Sequence, residues 1–208
     1  MDSKKLLCFA LLASVTSLSH ASGFFVNTSL GETNFYPQSN VYDFYGHSHT
    51  EALRVGYRWT SGAFSYGLET GYANLGHSHQ YYGHLIGFTN LSERIDGPVL
   101  GANLKYSLPM GFYVSARGGF FRSTDHQISK ETSWSFFPYP QTTYTTSANV
   151  SGMGSYFGVG IGYDISKSFG VGLNYDRYRA HVVTNYQEIL FDVTPRVDAY
   201  TLTAEYRF

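Results

Sequence analysis

Gly46-His47-Ser48-His49 and Gly76-His77-Ser78-His79 repeat one tetrapeptide in a chain with only eight histidines. In extended backbone a His-x-His pair puts both imidazoles on one face, a usable half-site for zinc or copper. His47, His49, His77 and His79 are therefore the candidate metal ligands, against the plainer reading of polar loop residues. His47 and His49 share the parity of Leu53, whereas His77 and His79 share that of Glu69. Straight strands would aim the two pairs at opposite faces, and only a bend could unite them. Glu51 is the one obvious flanking carboxylate.

Catalytic groupings are missing around these residues. The deacylase chemistry of some lipid A enzymes needs a His-x-Ser pair beside an acid, and from Ser22 onward no His is followed two residues later by Ser. Asp125-His126 lacks a serine at a defined spacing. Gly158-x-Gly160-x-Gly162 superficially matches a phosphate-binding loop, but no helix follows to receive a pyrophosphate. The sole cysteine, Cys8, lies inside an N-terminal apolar run, which removes disulfides, thiolate zinc sites and cysteine nucleophiles from the rest of the chain. No enzyme activity and no cofactor is expected.

Composition points to the elements that would carry such residues. Charged residues are 14% of the 208, aromatics 18%, with 19 Tyr, 16 Phe and 22 Gly. The net charge of −1 offers no basic stripe for nucleic acid. Mean hydropathy is −0.20, and no stretch reaches the ~20 apolar residues of a spanning helix. Lys4 and Lys5 precede the apolar run Leu6 to Val15, and Ser19 and Ala21 stand at −3 and −1 of a cleavage site. Residues 1–21 read as a secretory signal peptide and 22–208 as one barrel domain.

From Ser22 onward a two-residue alternation dominates. Phe157, Val159, Ile161 and Tyr163 oppose Gly158, Gly160 and Gly162; Tyr200, Leu202, Ala204, Tyr206 and Phe208 oppose Thr201, Thr203, Glu205 and Arg207. Eight such strands are expected, near 23–32, 50–59, 64–72, 97–106, 112–122, 157–163, 169–175 and 200–208. Short connections at 60–63, 107–111 and 166–168 alternate with long ones near 33–49, 74–96, 123–155 and 178–196. The expected fold is all-β: an eight-stranded antiparallel up-and-down transmembrane β-barrel with short periplasmic turns and four long extracellular loops. A soluble ligand barrel would need a charge-rich exterior, and the second face here is mainly Gly, Ser and Asn.

Tyr66-Gly67-Leu68-Glu69-Thr70-Gly71-Tyr72 with Leu75-Gly76, Gly158–Asp164 and Leu173-Asn174-Tyr175-Asp176-Arg177-Tyr178 resemble strands of the small outer membrane protein A and X barrels. Tyr206 and Phe208 resemble the C-terminal signal read by the barrel-assembly machinery, with Thr203 where Gly is usual. The resemblance implies a bacterial outer membrane, partners in outer-membrane lipid and lipopolysaccharide, and an interior ion-pair network with a glutamate at the Glu69 position. Residue parity independently turns Arg54, Glu69, Lys105, Arg117, Asp164, Asp176, Glu205 and Arg207 inward. A Ser61-Gly62 turn would pair Arg54 directly with Glu69. These charges read as a structural plug, with a narrow pore as the alternative. The aromatic run Trp134-Ser135-Phe136-Phe137-Pro138-Tyr139-Pro140 marks the third loop as a surface for an extracellular partner, or as a loop packed on the barrel mouth.

Overall fold

In the computed structural model residues 22–36, 46–84, 87–133, 142–179, 182–186, 189–193 and 196–208 are described. They form strands β1 (Gly23–Tyr36), β2 (Gly46–Ser61), β3 (Phe64–His84), β4 (Gly87–Ser107), β5 (Phe112–Ser133), β6 (Thr142–Asp164), β7 (Phe169–Arg179), β8 (Val182–Tyr186), β9 (Ile189–Val193) and β10 (Arg196–Arg207). Eight of them close an antiparallel barrel in the order β1-β10-β7-β6-β5-β4-β3-β2, and β8 and β9 make a separate hairpin. The 14 residues of β1 alternate exposed and enclosed positions with few breaks. Leu30, Leu68, Leu100, Ile161, Leu173 and Leu202 point outward and are more than half exposed. A face that apolar is suited to lipid, which satisfies no backbone group and therefore demands a closed sheet.

Rings of aromatic side chains bound the apolar belt. At the turn end Phe24, Tyr57, Trp59 and Tyr66 sit in a chain of ring contacts 5.0–5.8 Å apart, and Phe112 meets Tyr163 at 5.2 Å. Tyr72, Phe120, Phe157 and Tyr200 occupy the other end. Such rings are at home where headgroups meet acyl chains.

The first turn falls two residues from its expected register. Ser61 pairs with Phe64, so Gly62 and Ala63 form the turn, and Arg54 lies opposite Gly71 while Glu69 lies opposite Gly56. Gly62 takes φ +62, which suits a two-residue hairpin with Gly at its first central position. The slip is even, so every side chain keeps its face.

The loops expected near 74–96 and 123–155 are for the most part strand. β3 pairs with β4 as far as His84 and Gly87, and β5 pairs with β6 as far as Ser133 and Thr142. Beyond the belt neither face meets lipid, so the apolar alternation that marks the lower strand disappears from the sequence while the ladder continues. The aromatic run 134–140 lies outside the described residues.

Candidate functional site

The barrel interior holds the charges in two tiers. Near the turn end, Arg58 donates from Nη1 and Nη2 to Glu205 at 2.8 and 3.1 Å, and from Nε to Asn103 Oδ1 at 2.8 Å. Lys105 Nζ lies 2.8 Å from Asp164 and 3.7 Å from Glu205, and Arg207 lies 2.8 Å from Asp164 and 3.8 Å from Glu205. Arg58 also covers the Phe25 ring at 4.3 Å and Lys105 the Tyr113 ring at 3.8 Å. Three cations thus share two carboxylates.

At mid-barrel, Arg54 Nη2 donates to the Tyr178 hydroxyl at 2.6 Å, Tyr156 donates to Glu69 at 2.8 Å, and Arg54 Nε stands 3.7 Å from Glu69. Arg117 forks onto Asp176, with Nε to Oδ1 at 2.7 Å. Buried charges need such partners, because an unpaired one forfeits its hydration without return. A cavity of about 30 Å³ remains between the tiers, walled partly by Asn27, Asn103, Asn174 and Glu69. That is room for a water molecule or two.

Toward the open end the interior turns apolar. Leu75, Val99, Phe121, Tyr178 and Val197 are at most 2% exposed. Tyr178 stacks on Tyr156 at 5.8 Å and meets Phe121 edge-on at 5.2 Å. Ion pairs below and packed rings above fill the bore.

Arg54, Glu69, Lys105, Arg117 and Glu205 therefore all face the interior, each against an opposite charge. Arg54 and Glu69 meet diagonally across β2 and β3, not as direct cross-strand partners. Sequence reasoning missed Arg58 as an interior residue, although it shares the parity of Arg54 four residues earlier. The inward glycines of β6 and β7 leave space beside the strands. Asp176 and Tyr113 fill it: a Cβ on Gly158 would stand 1.9 Å from Asp176 Oδ1, and one on Gly162 2.4 Å from the Tyr113 ring.

The histidines lie at the open end. His47, His49 and His77 are on the strands there; His79 pairs in the backbone with Ser92, and its side chain is outside the described residues. A β-bulge falls between the Asn74–Asp96 and His77–Arg94 pairs, so Leu75 and Gly76 together oppose Ile95. Gly76 takes φ +93 there, and the extra residue turns His77 to the outward side of β3. The expectation that His77 faces inward is thereby corrected: it shares the outer face with His47 and His49. Among the described residues no three His, Cys, Asp or Glu side chains come within reach of one metal ion.

Tyr206 is outward and half exposed, with its ring 5.0 Å from Phe208; the Phe208 amide donates to the Phe24 carbonyl at 3.0 Å. Past the apolar plug, Glu93 faces the mouth beside Asp125. Burial, and then the like charge of Asp125, pushes the Glu93 carboxyl up to about 7, and burial raises Asp125 as well.

A family model described as the outer membrane protein beta-barrel domain matches residues 6–208. Among solved structures the chain is similar to the attachment invasion locus protein Ail of Yersinia pestis, at 12% identity and TM-score 0.45, covering 89% of this chain and 99% of that one. It is similar to Neisserial surface protein A at 8% identity and TM-score 0.46, covering 91% and 100%. A major outer membrane protein of Thermus thermophilus gives 15% identity and TM-score 0.47, covering 91% and 100%. The search of the curated proteins found no match.

Proposed function

Because this chain belongs to the outer membrane protein β-barrel domain family and is an integral protein of the bacterial outer membrane, we propose that it works there as a non-enzymatic surface scaffold. Its barrel is a plugged anchor and its recognition element is the sheet that β3 to β6 raise above the lipid. In this reading Arg54, Glu69, Lys105, Arg117 and Glu205 hold the bore shut, and Tyr206 and Phe208 serve delivery by the assembly machinery.

One observation carries the reading: the β6 edge. The β6–β7 ladder begins only at Ser155, so from Thr143 to Gly154 β6 is paired on its β5 side and has no ladder partner on the other among the described residues. The β8–β9 hairpin comes near β6 without joining its ladder. The stretch itself, Thr-Tyr-Thr-Thr-Ser-Ala-Asn-Val-Ser-Gly-Met-Gly, holds no charge and no proline. Free edges are ordinarily guarded by lysine, proline or a covering element, since open N–H and C=O groups recruit another strand. An edge without charge or proline, held clear of the membrane, suits an extended segment of an extracellular protein, added as one more strand.

The test is adhesion of cells displaying the protein to immobilised extracellular matrix proteins. Val150→Pro, placed on the free edge, and deletion of 132–146 should each abolish binding while the heat-dependent gel shift of the folded barrel persists. Binding that survives both changes refutes the edge. A pore is the competing reading, and single-channel recording in a planar bilayer separates the two: a plugged anchor stays silent.

A further inference from the structure

We infer that the inner wall of the β4–β5 sheet, above the apolar plug, is a calcium site with the carboxylates of Glu93 and Asp125 as its charged ligands. The ladder sets the two together. Gln127 is the direct β5 partner of Glu93, and Asp125 is that of Ile95, so the acids stand diagonally across the β4–β5 pair. Both face the mouth, above the floor that Leu75, Phe121 and Val197 make.

Asp125 is the more enclosed of the two. It is 6% exposed, and its ladder row sets Ile95 on one side and Val150 on the other. Gln127 Nε2 donates to its Oδ2 at 2.7 Å, while Oδ1 is buried with no hydrogen-bond partner among the described residues. An ionised oxygen in that state has lost its water and gained nothing in exchange. Glu93 adds a second negative charge beside it, and the mutual repulsion opposes ionisation of both.

No lysine or arginine answers the pair. Every Lys and Arg after residue 21 lies within the described segments, so none can reach the mouth from outside them. The interior cations are engaged by Asp164, Asp176, Glu69 and Glu205 below the plug. Arg94 turns to the outward side of β4 and meets Asp96 at 3.0 Å. Arg122, His126 and Lys130 alternate with Asp125 along β5 and so lie on the opposite face of the sheet. His126 is held there by Asn149 at 2.9 Å. The two carboxylates need a cation that the chain does not supply.

Donor chemistry selects the ion. Glu93 and Asp125 present carboxylate oxygens, and Gln127, whose Nε2 holds Asp125, offers its amide oxygen as a third. An all-oxygen set suits a hard cation over zinc or copper. Calcium accepts about six to eight oxygens at flexible angles, and the open mouth supplies water for the rest; magnesium demands a stricter octahedron. A proton shared between the carboxylates is the other way to relieve them, and alkaline conditions remove it.

The experiment uses the folded full chain in a non-ionic detergent free of lipopolysaccharide. At about pH 8, above the titration of Glu93, it is titrated with calcium and with magnesium by calorimetry, and the midpoint of the heat-dependent gel shift is read with and without calcium. The wild type should bind one calcium with a Kd of about 0.1–1 mM, the range of extracellular calcium modules, and magnesium at least about tenfold more weakly. Glu93→Gln and Asp125→Asn should each weaken calcium at least about tenfold, the loss of one charged ligand. Asp125→Asn keeps an oxygen for Gln127, and both variants remove repulsion, so without calcium each should have a higher midpoint than the wild type. Calcium should reverse that order. Glu51→Gln, which removes an exposed carboxylate from the outward side of β2, should bind calcium as the wild type does. The proposal is overturned by no calcium heat in the wild type at about 10 mM, a concentration well above that range. Equal binding of magnesium overturns it as well, as does an unchanged affinity in Glu93→Gln and Asp125→Asn, an unreversed order of midpoints, or an equal loss in Glu51→Gln.

Discussion

Glu205 is the residue on which the turn-end tier of the interior depends, and Glu205→Leu should show it. The carboxylate holds Arg58 at 2.8 Å, Lys105 at 3.7 Å and Arg207 at 3.8 Å, and the Arg58 and Glu205 side chains are only 11% and 8% exposed. At the effective dielectric of about 20 that fits protein sites, the first contact has roughly 6 kcal/mol of gross attraction and the second roughly 4 kcal/mol. Most of this offsets desolvation already incurred. Removing the carboxylate does not return that cost, because three cations stay enclosed with Asp164 alone. The expected net loss is therefore about 3–5 kcal/mol, the range for breaking one side of a buried pair. Urea unfolding of the barrel in lipid vesicles, followed by tryptophan fluorescence and by gel shift, measures it. The companion Arg58→Leu/Glu205→Leu should recover a large part of the loss, since it withdraws a charge of each sign. A cost below about 1 kcal/mol for Glu205→Leu, or a double variant equal to the sum of its singles, would show that these charges are solvated in the barrel and that the plug is misread.

Two further outcomes follow from the open end. Gly76→Val should cost about 1–3 kcal/mol, because the residue sits at φ +93 and its Cβ would stand 2.3 Å from Ser48 Oγ and 2.4 Å from the His49 carbonyl; an unchanged urea midpoint would refute the bulge. Glu93, raised from 4.5 to about 7 by burial and by Asp125, holds its proton more tightly folded than unfolded, so its contribution is present below pH 4.5 and is lost as pH rises through 7. Amide exchange in β4 on the mouth side of Asp96, corrected for intrinsic rate, should therefore lose protection between about pH 5 and 8 in the wild type and hold level in Glu93→Gln; the same pH profile in both would discard the assignment.

The sequence displays what the membrane constrains. Lipid tolerates apolar side chains on one face of every strand, so Phe157, Val159 and Ile161 announce a strand and its orientation at once. Parity then turns Arg54, Glu69 and Glu205 inward without any knowledge of partners. It stops there. Arg58 and Glu205 are 147 residues apart and meet inside the bore over β1, a contact set by how the closed sheet brings β2 and β10 to either side of that strand. The Gly62-Ala63 turn and the expected Ser61-Gly62 turn differ by an even slip, so no face changes and the pattern cannot choose between them. The bulge at Leu75-Gly76 breaks parity after the apolar positions have ended, which is why parity alone puts His77 on the wrong side.

The same limit explains where function lies in this molecule. Closing eight strands into a bore filled by its own ion pairs and rings consumes the interior, since a barrel of this size has space for side chains and little else. Chemistry addressed to the outside must then use the outer rim or the strand above it. On the rim, Arg177 and Arg196 clamp Asp198 where the belt ends, with Arg179 across from Arg196; above it, among the described residues, β6 runs from Thr143 to Gly154 with one edge outside the barrel ladder. Neither feature helps the barrel close, and cross-strand arginines work against it. What closure of the barrel does not require is what stays available to the exterior, and both features face outward.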